Sequence, residues 1–285
     1  MIHKTLLSAY INDGYSFRSV IHMIKNENDN VNLLVSKKKI SITFHNKGNY
    51  AIHDFTLNTE DLASYHYNIK DRDEYVIIVN ASELLSTTKG ISRKDGLKLS
   101  WLHTSEKLGV QIIKSGKDQT AELYVSIIRD KDYNPICIFD DYTEDEPVIK
   151  IPCKEFSDMC NQASVVKCAY MEIKGCSYYA VLTGLLHDGS IGLASKQFFS
   201  NKSNTEEQNV LEKITNNRYE YNIVKPETFI TIKIPINTIK TLSKLHNIAP
   251  LGSLLKLYII PEKPVKLECK IGSYGIYNLY IRDSK

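Results

Sequence analysis

No apolar run in the chain approaches the roughly 18–20 residues needed to cross a membrane as a helix. The opening MIHKTLLSAY lacks the apolar core of a signal peptide, so no secretory leader is expected. Six cysteines in 285 residues are too few for a disulfide framework. Cys153, Cys160, Cys168 and Cys176 are spaced too widely for CxxC ligand pairs, which favours buried thiols in a reducing compartment over zinc. Phosphate-loop chemistry is missing as well. Gly116-Lys117 has no glycine five residues before it and is followed by Asp118. There is no GxSxG, HExxH or GxGxxG, and the eight histidines show no ligand spacing. The expectation is a protein that is not an enzyme, with no metal and no cofactor. Charge of one sign is scarce too: 36 basic against 33 acidic residues leave a net +3. Total charge therefore does not point to nucleic acid, and any basic surface must be local.

What is present is a soluble composition, 42% hydrophobic and 24% charged, over a length that suits two domains. The chain is organised around YNPICIFDDYTEDEPVIKIPCKEF, Tyr133 to Phe156. Between Pro135 and Pro147 lie Asp140, Asp141, Glu144, Asp145 and Glu146. Proline removes a backbone donor and crowded carboxylates repel, so residues 135–147 read as an exposed, extended connector between domains 1–134 and 148–285.

The halves follow one plan. In the first, LLSAYI is a strand, and Phe17, Val20, Ile21 and Ile24 give a helix over about Tyr15 to Asn26 its apolar stripe. Arg18, His22 and Lys25 share another face. VNLLVS and ISITFHN form a hairpin through Lys37-Lys38-Lys39, then come AIHDFTL, YVIIVN, a short helix from Ala81 to Gly90, and three strands. In the second half, VIKI leads into a helix from Cys153 to Ala163, then a hairpin turning at Lys174-Gly175. SIGLASKQF and FITIKIP follow, flanking a long polar loop. A helix from Asn237 to Asn247 and three strands close the chain. Its outward Lys240, Lys244 and Asn247 are spaced i, i+4, i+7. The repeat is one of element order, not residue identity. Antiparallel sheets with helices on one face make an α+β fold.

Three segments in register resemble the DNA sliding clamps of the proliferating cell nuclear antigen (PCNA) family. VIKIPCKEF, Val148 to Phe156, is similar to the entry into that family's second domain. IAPLGSLLKLYI, Ile248 to Ile259, is similar to its helix exit, and PVKLECKIGSYGIYNLYI, Pro264 to Ile281, to its closing strand pair. Element order extends the resemblance over nearly the whole chain, as in a diverged, viral or protist, member.

The resemblance implies a homotrimeric ring closed head to tail, threaded by double-stranded DNA without sequence specificity. The ring would hold a DNA polymerase and other replication or repair enzymes on their template. DNA-facing positions are Arg18, His22, Lys25, Lys89, Arg93, Lys240 and Lys244. Asp158, Asn161, Val165 and Asn247 stand where relatives carry basic residues, so the second domain's first helix is expected to contribute little. The implied subunit edges are Ala121 to Asp130, with Glu122, Tyr124 and Ser126, and Ser190 to Gln197, with Ile191, Leu193 and Ser195. Partner peptides of the PIP-box kind would dock on His45, Ile136, Ile138, Phe139, Pro264, Tyr280 and Ile281, with Tyr142 and Asn49 as neighbouring candidates. His45 replaces a usual apolar residue, and Arg282-Asp283 replaces a small residue and proline. A clamp loader is a further implied partner, a membrane is not. The implied compartment is the nucleus, or a cytoplasmic replication site for a viral protein. Alternatives stay open: a subunit of a heterotrimeric checkpoint clamp, a monomeric processivity or transcription factor, or a scaffold that never touches DNA. The helix faces also read as plain solvated surfaces, the edges as internal strands, and the connector isoleucines as simple packing.

Overall fold

The structure, a computed structural model, describes residues 5–69, 72–102, 105–115, 122–128, 134, 136, 138, 142, 148–200 and 230–282. The first half runs β1 (Thr5–Ile11), α1 (Gly14–Glu27), β2 (Asn30–Ser36), β3 (Lys39–His45), β4 (Ala51–Asn58), β5 (Ser64–Tyr67), β6 (Glu74–Asn80), α2 (Ala81–Thr88), β7 (Gly96–Leu102), β8 (Lys107–Ile113) and β9 (Glu122–Ile128). The second runs β10 (Ile149–Pro152), α3 (Cys153–Val165), β11 (Tyr170–Cys176), β12 (Tyr179–Leu185), β13 (Ile191–Phe199), β14 (Ile230–Pro235), α4 (Ile236–Leu242), α5 (Leu245–Ile248), β15 (Leu254–Tyr258), β16 (Val265–Ile271) and β17 (Gly275–Ile281). The expected element order is present in both halves, with β5 as an extra strand in the first. The long polar loop and the Gly116-Lys117 turn fall outside the described residues.

Packing divides the chain into two compact units. Unit 1 is Met1–Ile138, Lys244–Ser253 and Cys269–Leu279; unit 2 is Phe139–Ser243, Leu254–Glu268 and Tyr280–Lys285. In unit 1 the hydrogen-bonded strand order is β17-β4-β3-β2-β6-β9-β8-β7-β1-β5. In unit 2, β10-β15-β16 form one run and β13-β12-β11-β14 a separate four-stranded sheet. Among the described residues β1–β7, β2–β6 and β11–β12 pair antiparallel, and no helix is long and apolar enough to span a membrane.

Local chemistry explains the helices. α1 starts because Asp13 accepts a hydrogen bond from the Ser16 backbone N–H at 3.0 Å, satisfying one orphan donor of the first turn. Its stripe, Phe17, Val20, Ile21 and Ile24, is fully buried. Asn80 caps α2 in the same way, accepting from the Ser82 and Glu83 N–H groups at 3.0 and 3.1 Å. α3 buries Phe156, Met159, Cys160 and Ala163. It ends in a double closure: Cys168 N–H reaches Ala163 O at 2.9 Å and Lys167 N–H reaches Ser164 O at 3.2 Å. The residue that turns the chain there, Lys167, has φ +58°, a conformation usually left to glycine.

Two boundaries differ from the sequence reading. The β11–β12 hairpin turns at Ser177-Tyr178, not at Lys174-Gly175, and Gly175 pairs with Ala180 inside the ladder. A Cβ on Gly175 would lie 2.1 Å from the Tyr179 carbonyl oxygen, so this glycine serves a close strand approach rather than a turn. The helix expected over Asn237 to Asn247 is two helices, α4 and α5, interrupted at Ser243-Lys244. Ile239, Leu242 and Leu245 are buried as expected. The interruption changes the outward set: Lys240 is exposed, Lys244 half-buried, and Asn247 accepts a 3.4 Å hydrogen bond from the Tyr15 hydroxyl.

Candidate nucleic-acid and partner interfaces

In unit 1, α1 packs against α2 and α5. This brings together side chains far apart in sequence. Arg18 is half-buried and its guanidinium donates to Ile91 O at 3.0 Å, tying α1 to the turn after α2. His22 is exposed, and partial burial together with Lys244, Arg18 and Lys25 pushes its pKa below the usual imidazole value. Arg93 lays its guanidinium 5.5 Å from the Tyr15 ring centroid. Lys25, Lys89 and Arg93 are exposed. Six of the seven residues expected to face DNA therefore sit in unit 1, with Lys244 joining the α1 group across the fold. The seventh, Lys240, is exposed on α4 in unit 2.

The turn that carries Arg93 is braced from below. Asp95, 3% exposed, accepts from Ser92 N–H and Ser92 Oγ, both at 2.7 Å, and pairs with Lys114 Nζ at 2.7 Å. These donors, the lysine foremost, hold its carboxyl well below the usual carboxylate range. The brace was not visible in the sequence, because Lys114 lies 19 residues from Asp95.

The expected subunit edges have different surroundings. Over Glu122–Ser126, β9 is paired with β8. Among the described residues its other partner, β6, reaches Ile127 and Ile128 alone. Ile127 N–H bonds Glu106 O, so alternation turns the backbone groups of Glu122, Tyr124 and Ser126 away from β8. Ser126 N–H there meets the Glu83 carboxylate at 3.4 Å. Tyr124 is 53% exposed. The side chains fold back over the sheet: Glu122 accepts from Ser100 Oγ at 2.7 Å and from the Tyr124 hydroxyl at 2.9 Å. Gly109 makes the space, since a Cβ there would lie 2.3 Å from Ser100 Oγ and 2.4 Å from Glu122 Oε1.

Among the described residues β13 is a terminal strand of its sheet, paired with β12 alone over its length. Its Ile191 is 66% exposed; Leu193 packs over Gly184, and Ser195 bonds Thr183 at 2.8 Å. Two register shifts, between Leu182 and Gly184 and between Gly184 and Leu185, bend the pair. On α3, Lys154, Asp158, Asn161 and Val165 are exposed, and Glu155 pairs with Lys196 of β13 at 3.0 Å.

Of the expected peptide-pocket residues, His45 is exposed, and Ile136 and Ile138 are half-buried in unit 1. Phe139 lies outside the described residues. Pro264 is half-buried in unit 2, where Tyr280 and Ile281 are buried. Tyr142 joins this second group, packed edge-on against Tyr258 with centroids 5.5 Å apart. Tyr258 and Lys266, which stand opposite each other in the β15–β16 register, were missed from sequence. VKLECKI carried no signal for this contact, because Lys266 alternates with Val265 and Leu267 on the polar phase it shares with Glu268 and Lys270, yet it is buried. Among the described residues no group of three or more His, Cys, Asp or Glu could hold a metal ion.

Sheet-rich units with few helices, assembled in this order, define a two-domain sliding-clamp fold of the PCNA kind. Two solved structures similar to this chain are of that class. A PCNA from Entamoeba histolytica aligns with a TM-score of 0.72 at 12% identity, over 99% of this chain and 100% of that one. A PCNA2–PCNA3 complex from Sulfolobus tokodaii aligns with a TM-score of 0.69 at 12% identity, over 97% and 99%. No protein-family model matches the sequence, and no curated protein matches it.

Proposed function

We propose that the chain is a sliding clamp that encircles duplex DNA and tethers replication or repair enzymes to it. The observation that carries this reading is the likeness of fold to clamp structures over 99% of the chain. The basic group on α1, the α2 turn and Lys244 supports it. Ammonium and guanidinium groups contact phosphates without reading bases, so a ring holding them can slide. The two strand edges support closure, since a head-to-tail contact that repeats and closes satisfies both. In this reading residues 1–134 and 148–285 are clamp domains, joined by the 135–147 connector, and partner peptides dock beside it. The protein performs no chemistry of its own.

Light scattering after gel filtration tests the ring: a particle near three times the 32.5 kDa chain is expected. Retention on nicked circular DNA, with loss on linearisation, tests encirclement. Equal release from both forms would overturn it. A heteromeric ring is the second reading, favoured by the complex of two different clamp chains among the similar structures. A lone chain of 32.5 kDa that closes only with a second, different clamp chain would establish it.

A further inference from the structure

Four side chains of unit 2 converge on one ammonium group. Lys266 is 5% exposed, and its Nζ lies 5.1, 5.5 and 5.7 Å from the ring centroids of Tyr142, Tyr258 and Tyr280. Its charge is balanced by Glu268 at 3.4 Å, which also pairs with Lys256 at 2.6 Å. Tyr142 completes the cage. It meets Tyr258 edge-on and Tyr280 at 6.5 Å, and its hydroxyl donates to the Pro264 carbonyl oxygen. Lys263 Nζ lies 5.1 Å from its ring centroid.

The rings are not equivalent. Tyr258 and Tyr280 are fixed by the paired strands β15 and β17, whereas Tyr142 lies outside every strand and helix. We propose that Tyr142 is a resident occupant of the peptide pocket, seated on Tyr258, Tyr280 and Lys266, and that a partner's aromatic side chain exchanges with it. This rests on the reading that peptides dock at Pro264 and Tyr280. The exchange sets specificity. An incoming aromatic ring restores the face that Lys266 loses, and an aliphatic side chain does not. The pocket therefore discriminates against partners anchored by leucine alone.

The test uses the full chain and two fluorescein-labelled peptides in anisotropy titrations. One carries an aliphatic residue and, a helical turn later, two adjacent aromatics; the other has leucine in place of both aromatics. Tyr142→Ala is expected to bind the aromatic probe about tenfold more tightly than the unaltered protein, and Tyr142→Phe to stay close to it. Lys266→Met is expected to shrink the preference for the aromatic probe. Mass-spectrometric mapping after nitration gives a readout that needs no folding-sensitive variant. Tyr142 should be protected relative to the exposed Tyr170, and saturating aromatic probe should remove that protection. Unchanged or weaker binding by Tyr142→Ala overturns the proposal. If Tyr280→Ala also loses the probe, the pocket stands and Tyr142 is part of its wall. If no variant binds either probe, the docking reading fails and the exchange with it. Nitration of Tyr142 as fast as Tyr170 in the unliganded protein overturns the proposal directly.

Discussion

Nδ1 of His53 lies 3.0 Å from the hydroxyl oxygen of Tyr277, inside the aromatic core of unit 1. The imidazole is fully buried, stacked on Phe44 with centroids 4.8 Å apart and planes 5° from parallel. Nε2 has no hydrogen-bond partner among the described residues. Burial pushes the pKa down from 6.5 to about 3, so the folded state holds the neutral ring. The unfolded chain takes up this proton below about pH 6.5 and the folded one does not. Stability is thus fully present above that pH and falls as pH drops toward 3, with a slope of up to about 1.4 kcal/mol per pH unit. Urea midpoints between pH 7.5 and 4.5 should show this slope, and His53→Phe should flatten it. Parallel curves for both proteins would count against a neutral buried imidazole.

Lys25, Lys89 and Lys240 are exposed, whereas Arg18 also holds Ile91 O at 3.0 Å. Replacing the three lysines with alanine therefore tests DNA contact without opening the α1–α2 packing. Retention on nicked circular DNA should weaken. Where binding is measured against salt, the log–log slope should fall by about 1 per lost phosphate contact. An unchanged slope in a stably folded triple variant would remove these lysines from the DNA surface.

Gly109→Ala places a methyl group where Glu122 and Ser100 now meet. Glu122 must leave the sheet face and carry Tyr124 with it, disturbing the outer flank of β9. The cost of crowding is about 1–3 kcal/mol. If the proposed ring forms through this edge, subunit association is expected to suffer beyond that loss of stability, as a concentration-dependent shift toward single chains in light scattering. A destabilised variant that assembles at the original concentration would separate Glu122 from the contact.

Lys167 at φ +58° closes α3 in a conformation that costs a side-chain-bearing residue roughly 1 kcal/mol. Lys167→Gly should raise stability by about that amount, without affecting binding. A lower thermal midpoint would mean that the lysine side chain contributes more than its backbone costs.

The residues that made the fold readable are those whose partners lie close in sequence. Phe17, Val20, Ile21 and Ile24 repeat at helical spacing, and α1 follows from them. Asn80 one residue before α2 marks its start. Gly175 misled, because a glycine that allows two strands to approach looks the same in sequence as one that turns a chain. The interruption at Ser243-Lys244 was hidden because the buried stripe Ile239, Leu242, Leu245 continues across it. β5, SYHY, passed unnoticed since its four residues are exposed or half-buried and carry no apolar alternation. The candidate sites divide the same way. The Arg18, His22 and Lys25 face was legible from one helix. The contribution of Lys244 beside it and the gathering of Tyr142, Tyr258 and Tyr280 around Lys266 depend on contacts across more than a hundred residues.

The margin of β13 has a cost for the chain by itself, before any assembly of the proposed kind. Nine residues that can template another strand, with Ile191 largely bare, make a newly synthesised, solitary chain prone to sticking to its own kind. The bends between Leu182 and Leu185 limit that hazard, since a flat intruder cannot follow them and only a strand of matching curvature can zip along. Yield and shelf life should therefore track how quickly the chain finds its proper neighbour.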